Sequence, residues 1–366
     1  MTFILLALVA ALAFANGAND NCKGVATLVG HGAARPRTAL LWAMITTAIG
    51  ALISFWLAGG LLKSFSTALF AKGTALNPEF FAAVLAGAIG WVLFATRTGL
   101  PVSTTHAIIG SIIGAGLVTF DSATMQWRVL GANFAIPLMF SPLLSMAAVY
   151  VVAWPLGVVL SQVAGKCVCL TQPEPVAISS NGTAAIVGSI GIVVDAEQAC
   201  AAVPVLAGAS ASRAANGVHW LSSGMVGFAR GWNDAPKIAA LGLIAVSGSH
   251  STAICFAIVV LAMAAGGVIA GRKVLDTLAR KVTPMPLAES LTASLMTATL
   301  VGLASWNSLP VSTTHVSTGA IIGAGLKRDP RGVRWGKVGE IVLSWIVTLP
   351  VAGLIAAAAA LIVRRF

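Results

Sequence analysis

Ten apolar stretches set the terms on which this chain can fold. They run over residues 2–28, 38–62, 78–96, 101–120 and 133–163, and again over 214–245, 252–271, 286–305, 310–326 and 337–363. A helix that crosses a bilayer needs about 20 apolar residues. Of the 366 residues 58% are hydrophobic and only 9% charged, with a mean hydropathy of +0.93, whereas globular domains carry about 25% charge. Charged groups are too few to clothe a soluble particle. A soluble enzyme and a nucleic-acid reader are therefore both excluded, despite the formal net charge of +11. The expectation is an all-α polytopic membrane protein. Its first stretch reads as a span, because Met1–Phe14 lacks the basic flank and small-residue cleavage site of a signal peptide.

The apolar stretches form two sets, 1–163 and 214–366, on either side of a central loop over 164–213 with short strands expected around Ala184–Val194. Each set carries the same two signals. Asn19-Asp20 with Lys23 returns as Asn233-Asp234 with Lys237, and Pro101-Val-Ser-Thr-Thr-His106 returns unchanged as Pro310-Val-Ser-Thr-Thr-His315. The order is the same and the spacing nearly so, which reads as two homologous halves. With five segments in each, the second half begins on the opposite side of the membrane from the first, an inverted repeat. If the amino terminus is outside, most of the 22 Lys and Arg fall in cytoplasmic loops, and only Lys63, Lys72, Arg128, Arg364 and Arg365 stay on the outer side. The positive-inside rule selects that orientation, with both termini outside. The five cysteines (Cys22, Cys167, Cys169, Cys200, Cys255) show no metal-ligand spacing.

Asp20 and Asp234 lie deep in apolar sequence, where an ionised carboxylate costs about 2.5–3.5 kcal/mol on insertion scales. Lys23 and Lys237 follow at i+3, on the same helix face. Each Asp-Lys pair is either a neutral structural bridge or a working group; its recurrence with Asn in both halves favours the second. Pro-Val-Ser-Thr-Thr-His starts a helix where a continuous span would not: Pro suits the first turn and Ser or Thr the N-cap. A helix start offers free N–H donors and the positive dipole end to an anion. Ser103, Thr104 and Thr105 add hydroxyls, as do Ser312, Thr313 and Thr314. If the two starts meet near the midplane, they describe a tetrahedral-oxyanion pocket, assisted by Asn19 and Asn233. A proline-kinked span with Ser and Thr bonded back to carbonyls is the plainer alternative. His106 and His315 bind the anion, carry a proton or simply pack. Arg230 has no counterpart in the first half, where Asn16 stands; it neutralises Asp234 or contributes to a gate.

The pattern resembles the inorganic phosphate transporter family (Pit type), whose halves each carry an Asn-Asp and a Pro-x-Ser-Thr-Thr-His-like motif. Here the resemblance rests on Gly17-Ala18-Asn19-Asp20, Gly231-Trp232-Asn233-Asp234 and both hexapeptides, over essentially the whole chain. It implies an inverted-repeat fold with discontinuous or re-entrant helices at the hexapeptides, and a secondary active transporter, not an enzyme, of a cell inner membrane. It implies import of inorganic phosphate by cation symport, with the substrate between the halves. In the mechanism the residues themselves favour, alternating access around a fixed pocket, Asp20 and Asp234 accept the cation or proton and Lys23 and Lys237 tune them or touch the anion. Sulfate permeation and a passive anion channel are the alternatives. No cofactor is implied beyond sodium as a co-substrate, which would take Asp20, Asn19, Asp234 and Asn233. The partners are phosphate and the lipid bilayer, with no nucleic acid; a homodimer is left open. One departure stands out. Sodium-driven members carry Asn-Asp-x-Ala-Asn, and this chain has Lys23 and Lys237 where that last Asn stands. A fixed ammonium can replace a sodium ion electrostatically, which shifts weight toward proton coupling.

Overall fold

The computed structural model describes residues 1–66, 69–71, 73–171, 191–196, 198, 205–243 and 251–364. Helix α1 (Thr2–Asp20) ends at the Asn-Asp motif, a tight 3-10 turn covers Asn21–Gly24, and the short α2 (Ala26–His31) resumes. Next come α3 (Pro36–Leu57), α4 (Gly59–Ser66), α5 (Pro78–Thr98), α6 (Thr104–Thr119) and α7 (Trp127–Val163). Proline opens α3 and α5, where its missing N–H costs nothing, and the Asn77 side chain caps α5 by accepting the Phe80 N–H at 2.9 Å.

Strands β1 (Lys166–Thr171), β2 (Gly191–Ala196) and β3 (Val205–Ser210) form an antiparallel sheet in the order β2-β1-β3, with Cys169 opposite Val193 and Gly208. Of the strands expected around Ala184–Val194, the part from Gly191 belongs to β2; residues 184–190 lie outside the described residues. The second half is α8 (Ala211–Gly242), α9 (Ser251–Ala270), α10 (Arg272–Arg280), α11 (Leu287–Trp306), α12 (Thr313–Arg328) and α13 (Trp335–Val363). The Asn-Asp motif interrupts α1, but its copy lies inside the continuous α8.

Packing pairs exchange when the halves are exchanged. Helix α1 packs on α9 as α8 does on α3, α6 on α13 as α12 on α7, and α1 on α5 as α8 on α11. The first two of these pairs need glycine at the crossing. A Cβ at Gly17 would lie 2.0 Å from the Met263 carbonyl oxygen, and one at Gly231 only 2.1 Å from that of Thr47. Membrane helices approach this closely only where side chains vanish.

Seven helices among the described residues are long and apolar enough to cross a membrane: the α1 segment to Gly24, α3, α5, α7, α9, α11 and α13. Three of the ten expected segments differ for physical reasons. Helices α6 and α12 have 16 residues each, about 24 Å at 1.5 Å per residue, short of the ~30 Å hydrocarbon layer. Helix α8 is long, but Arg230, Asp234 and Lys237 within it are buried against protein. Apolar side chains such as Met139, Val151, Ile346 and Leu354 project outward from α7 and α13, the flank that a bilayer covers. The protein is a polytopic helical membrane protein.

Candidate functional site

Both hexapeptides follow the same break. Helix α5 ends at Gly99 with φ +76, and α11 runs out before Ser308, the matching position, with φ +56. The Leu100 N–H returns to the Ala95 carbonyl at 2.9 Å and the Leu309 N–H to that of Ala304 at 2.8 Å. These turns are the left-handed stop that ends many helices. The chain then runs extended through Pro-Val and restarts at Ser103 or Ser312. Each serine Oγ accepts the N–H three residues on, of His106 and His315, at 3.2 Å. Accepting leaves the hydroxyl hydrogen free to donate.

The two restarts meet. Thr314 Oγ1 donates to the Val102 carbonyl at 2.7 Å, joining the second motif to the first. Asn16 lies between the carboxylates: its Nδ2 is 3.0 Å from Asp20 Oδ2, 3.2 Å from Asp234 Oδ2 and 3.1 Å from Thr104 Oγ1. Thr104 donates to Asp20 Oδ2 at 3.2 Å. Lysines cross between the halves. Lys23 pairs with Asp20 and reaches Thr314, while Lys237 lies 3.2 Å from Asp234 Oδ1 and 2.9 Å from Thr105 Oγ1. All of these side chains are buried.

Arg230 breaks the symmetry. It donates to Asn16, Asn21 and, at 3.3 Å, Thr47, and its Nε is 3.7 Å from Asp234 Oδ2. The cluster thus sets Asp20 and Asp234 against Lys23, Lys237 and Arg230, a formal excess of one positive charge with all five counted as ionised. Asn19 is spent on the helix break: it donates to Thr96 Oγ1 and the Leu100 carbonyl, both at 3.0 Å, and accepts the Val102 N–H at 3.1 Å. Asn233 donates to the Val311 carbonyl at 3.0 Å and leaves its Oδ1 without a partner. Thr313 is buried at the first turn of α12.

His106 and His315 stand apart from this web. Their rings are 4.5 Å apart, His315 packs at 4.1 Å on Trp345 and bonds the Leu138 carbonyl at 3.0 Å, and both line an apolar cavity of about 550 Å³ between α7, α12 and α13. Sequence reasoning missed Asn21, Thr47, Thr96 and the joining role of Asn16. Asn16 alone gave a signal, standing one helical turn before Asp20. It also missed a string of hydroxyls one turn beyond the cluster. Thr27 Oγ1 is 2.7 Å from Ser294 Oγ, which is 3.4 Å from Ser223 Oγ, and the buried His219 ring lies next, 6.0 Å from His31.

Charged and amide side chains buried at the meeting of two helix restarts, inside a bundle with an apolar exterior, define a membrane transport protein. Comparison with known proteins makes this specific: residues 16–356 match the model of the phosphate transporter family. The chain belongs to that family. It is 28% identical to the "Probable low-affinity inorganic phosphate transporter" of Rhizobium meliloti, over 94% of this chain and 91% of that one. A protein of the same name from Mycobacterium tuberculosis is 28% identical, over 97% of this chain and 76% of that one. Among solved structures, "The sodium-dependent phosphate transporter" superposes with a TM-score of 0.79 at 22% identity, covering 100% of this chain and 99% of that one; that likeness speaks for the fold. The family and these relatives are transporters, not enzymes.

Proposed function

We propose that this protein imports inorganic phosphate across a cell inner membrane by symport with a cation, proton or sodium. In this reading the two halves are inverted repeats, both termini are outside, and the anion sits between the two restarts. The observation that carries it is the formal excess of one cationic side chain in the buried cluster, next to two helix N-termini. A buried charge must be balanced, and a phosphate anion balances this one. Ser103, Thr104, Thr105, Ser312, Thr313 and Thr314 offer hydroxyls and backbone N–H groups to the phosphate oxygens; Asn19 and Asn233 hold the restarts in place. Asp20 and Asp234 accept the coupling cation.

Alternating access is supported by the unlike chemistry on the two sides of the cluster. Matching Asp20 with Asp234 aligns Thr27 with Leu241, Ser223 with Val9 and His219 with Leu5; matching the hexapeptides aligns Ser294 with Leu85. Toward α2 stand three buried hydroxyls, and α2 itself packs into a second apolar cluster with Leu275 and Ile321. In the other direction Leu5, Val9, Leu85 and Leu241 are fully buried in one apolar cluster. Under the charge-based orientation the string of hydroxyls faces the cytoplasm and the apolar plug faces outside.

Purified protein in liposomes decides the matter. Labelled phosphate should accumulate above its equilibrium level when a cation gradient is imposed, with sodium and pH gradients varied separately and sulfate as competitor. Uptake that only equilibrates under both gradients refutes symport, since a channel cannot concentrate its ion.

A further inference from the structure

The lysines of the cluster occupy surroundings built for a small cation. Lys23 Nζ is 2.9 Å from the Val102 carbonyl and 3.2 Å from Asn19 Oδ1, and it also bonds the Asp20 carboxylate and the Thr314 hydroxyl. Lys237 Nζ is 2.9 Å from the Val311 carbonyl, 2.9 Å from Thr105 Oγ1 and 3.2 Å from Asp234 Oδ1. Three parts of the two sets correspond, and Asn19 is an addition on the Lys23 side. Each takes the carboxylate three residues before the lysine, the carbonyl of the extended Val in its own half's hexapeptide, and the second threonine hydroxyl of the other half's. Carboxylate, hydroxyl and carbonyl oxygens are the donors a hard cation takes, and carbonyls at unwound helix ends are where transporters place coupling cations.

An ammonium has three donors and no acceptor, and here each one is saturated by these oxygens. A sodium ion has no place left beside it: the oxygens are engaged and a fixed positive charge sits among them. Resting on the phosphate-symport reading, we infer that Lys23 and Lys237 are resident cations in the two positions where a coupling sodium would sit, so that this chain handles phosphate without sodium. A tethered ammonium balances the anion's charge but stays behind when the anion leaves. It therefore compensates without coupling, and the driving force does not come from the sodium gradient.

The test measures binding of ²²Na⁺ to the purified full chain, with and without phosphate, and binding of labelled phosphate in sodium against choline. Wild type should show no saturable sodium binding, and its phosphate Kd should change less than twofold between sodium and choline. The variant carrying Lys23→Ala and Lys237→Ala should gain saturable sodium binding, and its phosphate affinity should rise at least tenfold with sodium. Saturable sodium binding to wild type, or a tenfold sodium dependence of its phosphate Kd, overturns the inference. So does a monodisperse, helical double variant that still ignores sodium. If the double variant does not fold, the two single variants replace it and the wild-type arm stands unchanged. Wild type that binds no phosphate in any salt would instead sink the transport reading, while its sodium arm still decides the role of the lysines.

Discussion

Arg230→Gln removes the charge that gives the cluster its excess, and the consequence can be worked out from the contacts. Arg230 bonds Asn16 and Asn21 and lies 3.7 Å from Asp234, while Asn16 lies between the two carboxylates. An anion seated at the helix restarts is thus within roughly 7 Å of the guanidinium, and with an effective dielectric constant of about 20 their attraction is about 2 kcal/mol. Its loss should weaken phosphate binding roughly 30-fold. The assay is equilibrium binding of labelled phosphate to purified variants at fixed salt, with circular dichroism to confirm the fold. Asp234→Asn supplies the opposite sign. It raises the buried charge instead of cancelling it, so its phosphate affinity should hold or tighten. An Arg230→Gln variant that binds phosphate within twofold of wild type would refute the charge argument. An Asp234→Asn variant that binds as weakly as Arg230→Gln would refute it too, since charge would then not set the affinity.

Asp20→Asn and Asp234→Asn should each abolish concentrative uptake in liposomes while keeping helical content, and normal accumulation by both would remove the carboxylates from coupling. In the state described here, Ser223→Cys should react with a water-soluble thiol reagent added from the cytoplasmic side at least tenfold faster than Val9→Cys does from the outer side; equal rates would contradict the unlike chemistry of the two sides. Gly17→Ala places a Cβ 2.0 Å from the Met263 carbonyl oxygen, and overpacking of this kind costs about 1–3 kcal/mol. Its melting temperature in detergent should fall, and an unchanged value would mean that the α1–α9 crossing is looser than described.

Much of this architecture is legible in the residues. The expected stretches 78–96 and 286–305 are α5 and α11 within two residues, because apolar runs ended by Gly99-Leu100-Pro101 or Ser308-Leu309-Pro310 leave little freedom. The helix restarts at the hexapeptides follow from Pro and the serine caps, which are local effects. What was hidden depends on which helix lies across from which. Asn16 reads as one polar residue in an apolar helix until α8 brings Asp234 beside it. Nothing in the Lys23 neighbourhood names Thr314, nearly three hundred residues away. The string of hydroxyls joins α2, α8 and α11, so no single helix shows it. The place of the histidines was hidden for a related reason: they belong to the conspicuous motif, yet the turn after the cap points them to the α7 and α13 side. Helix α8 is too polar to read as a lipid-facing span because it carries the site, and protein rather than lipid surrounds its charged stretch.

An experimental density map of the protein with bound arsenate, a heavier tetrahedral oxyanion located by the anomalous signal of its arsenic, goes furthest toward deciding the account. The account predicts one arsenic peak between the first turns of α6 and α12, within hydrogen-bonding reach of hydroxyls from both halves and beside Lys23, Lys237 and Arg230. A peak in the His106–His315 cavity, or one held by a single half with the other restart turned away, would contradict it.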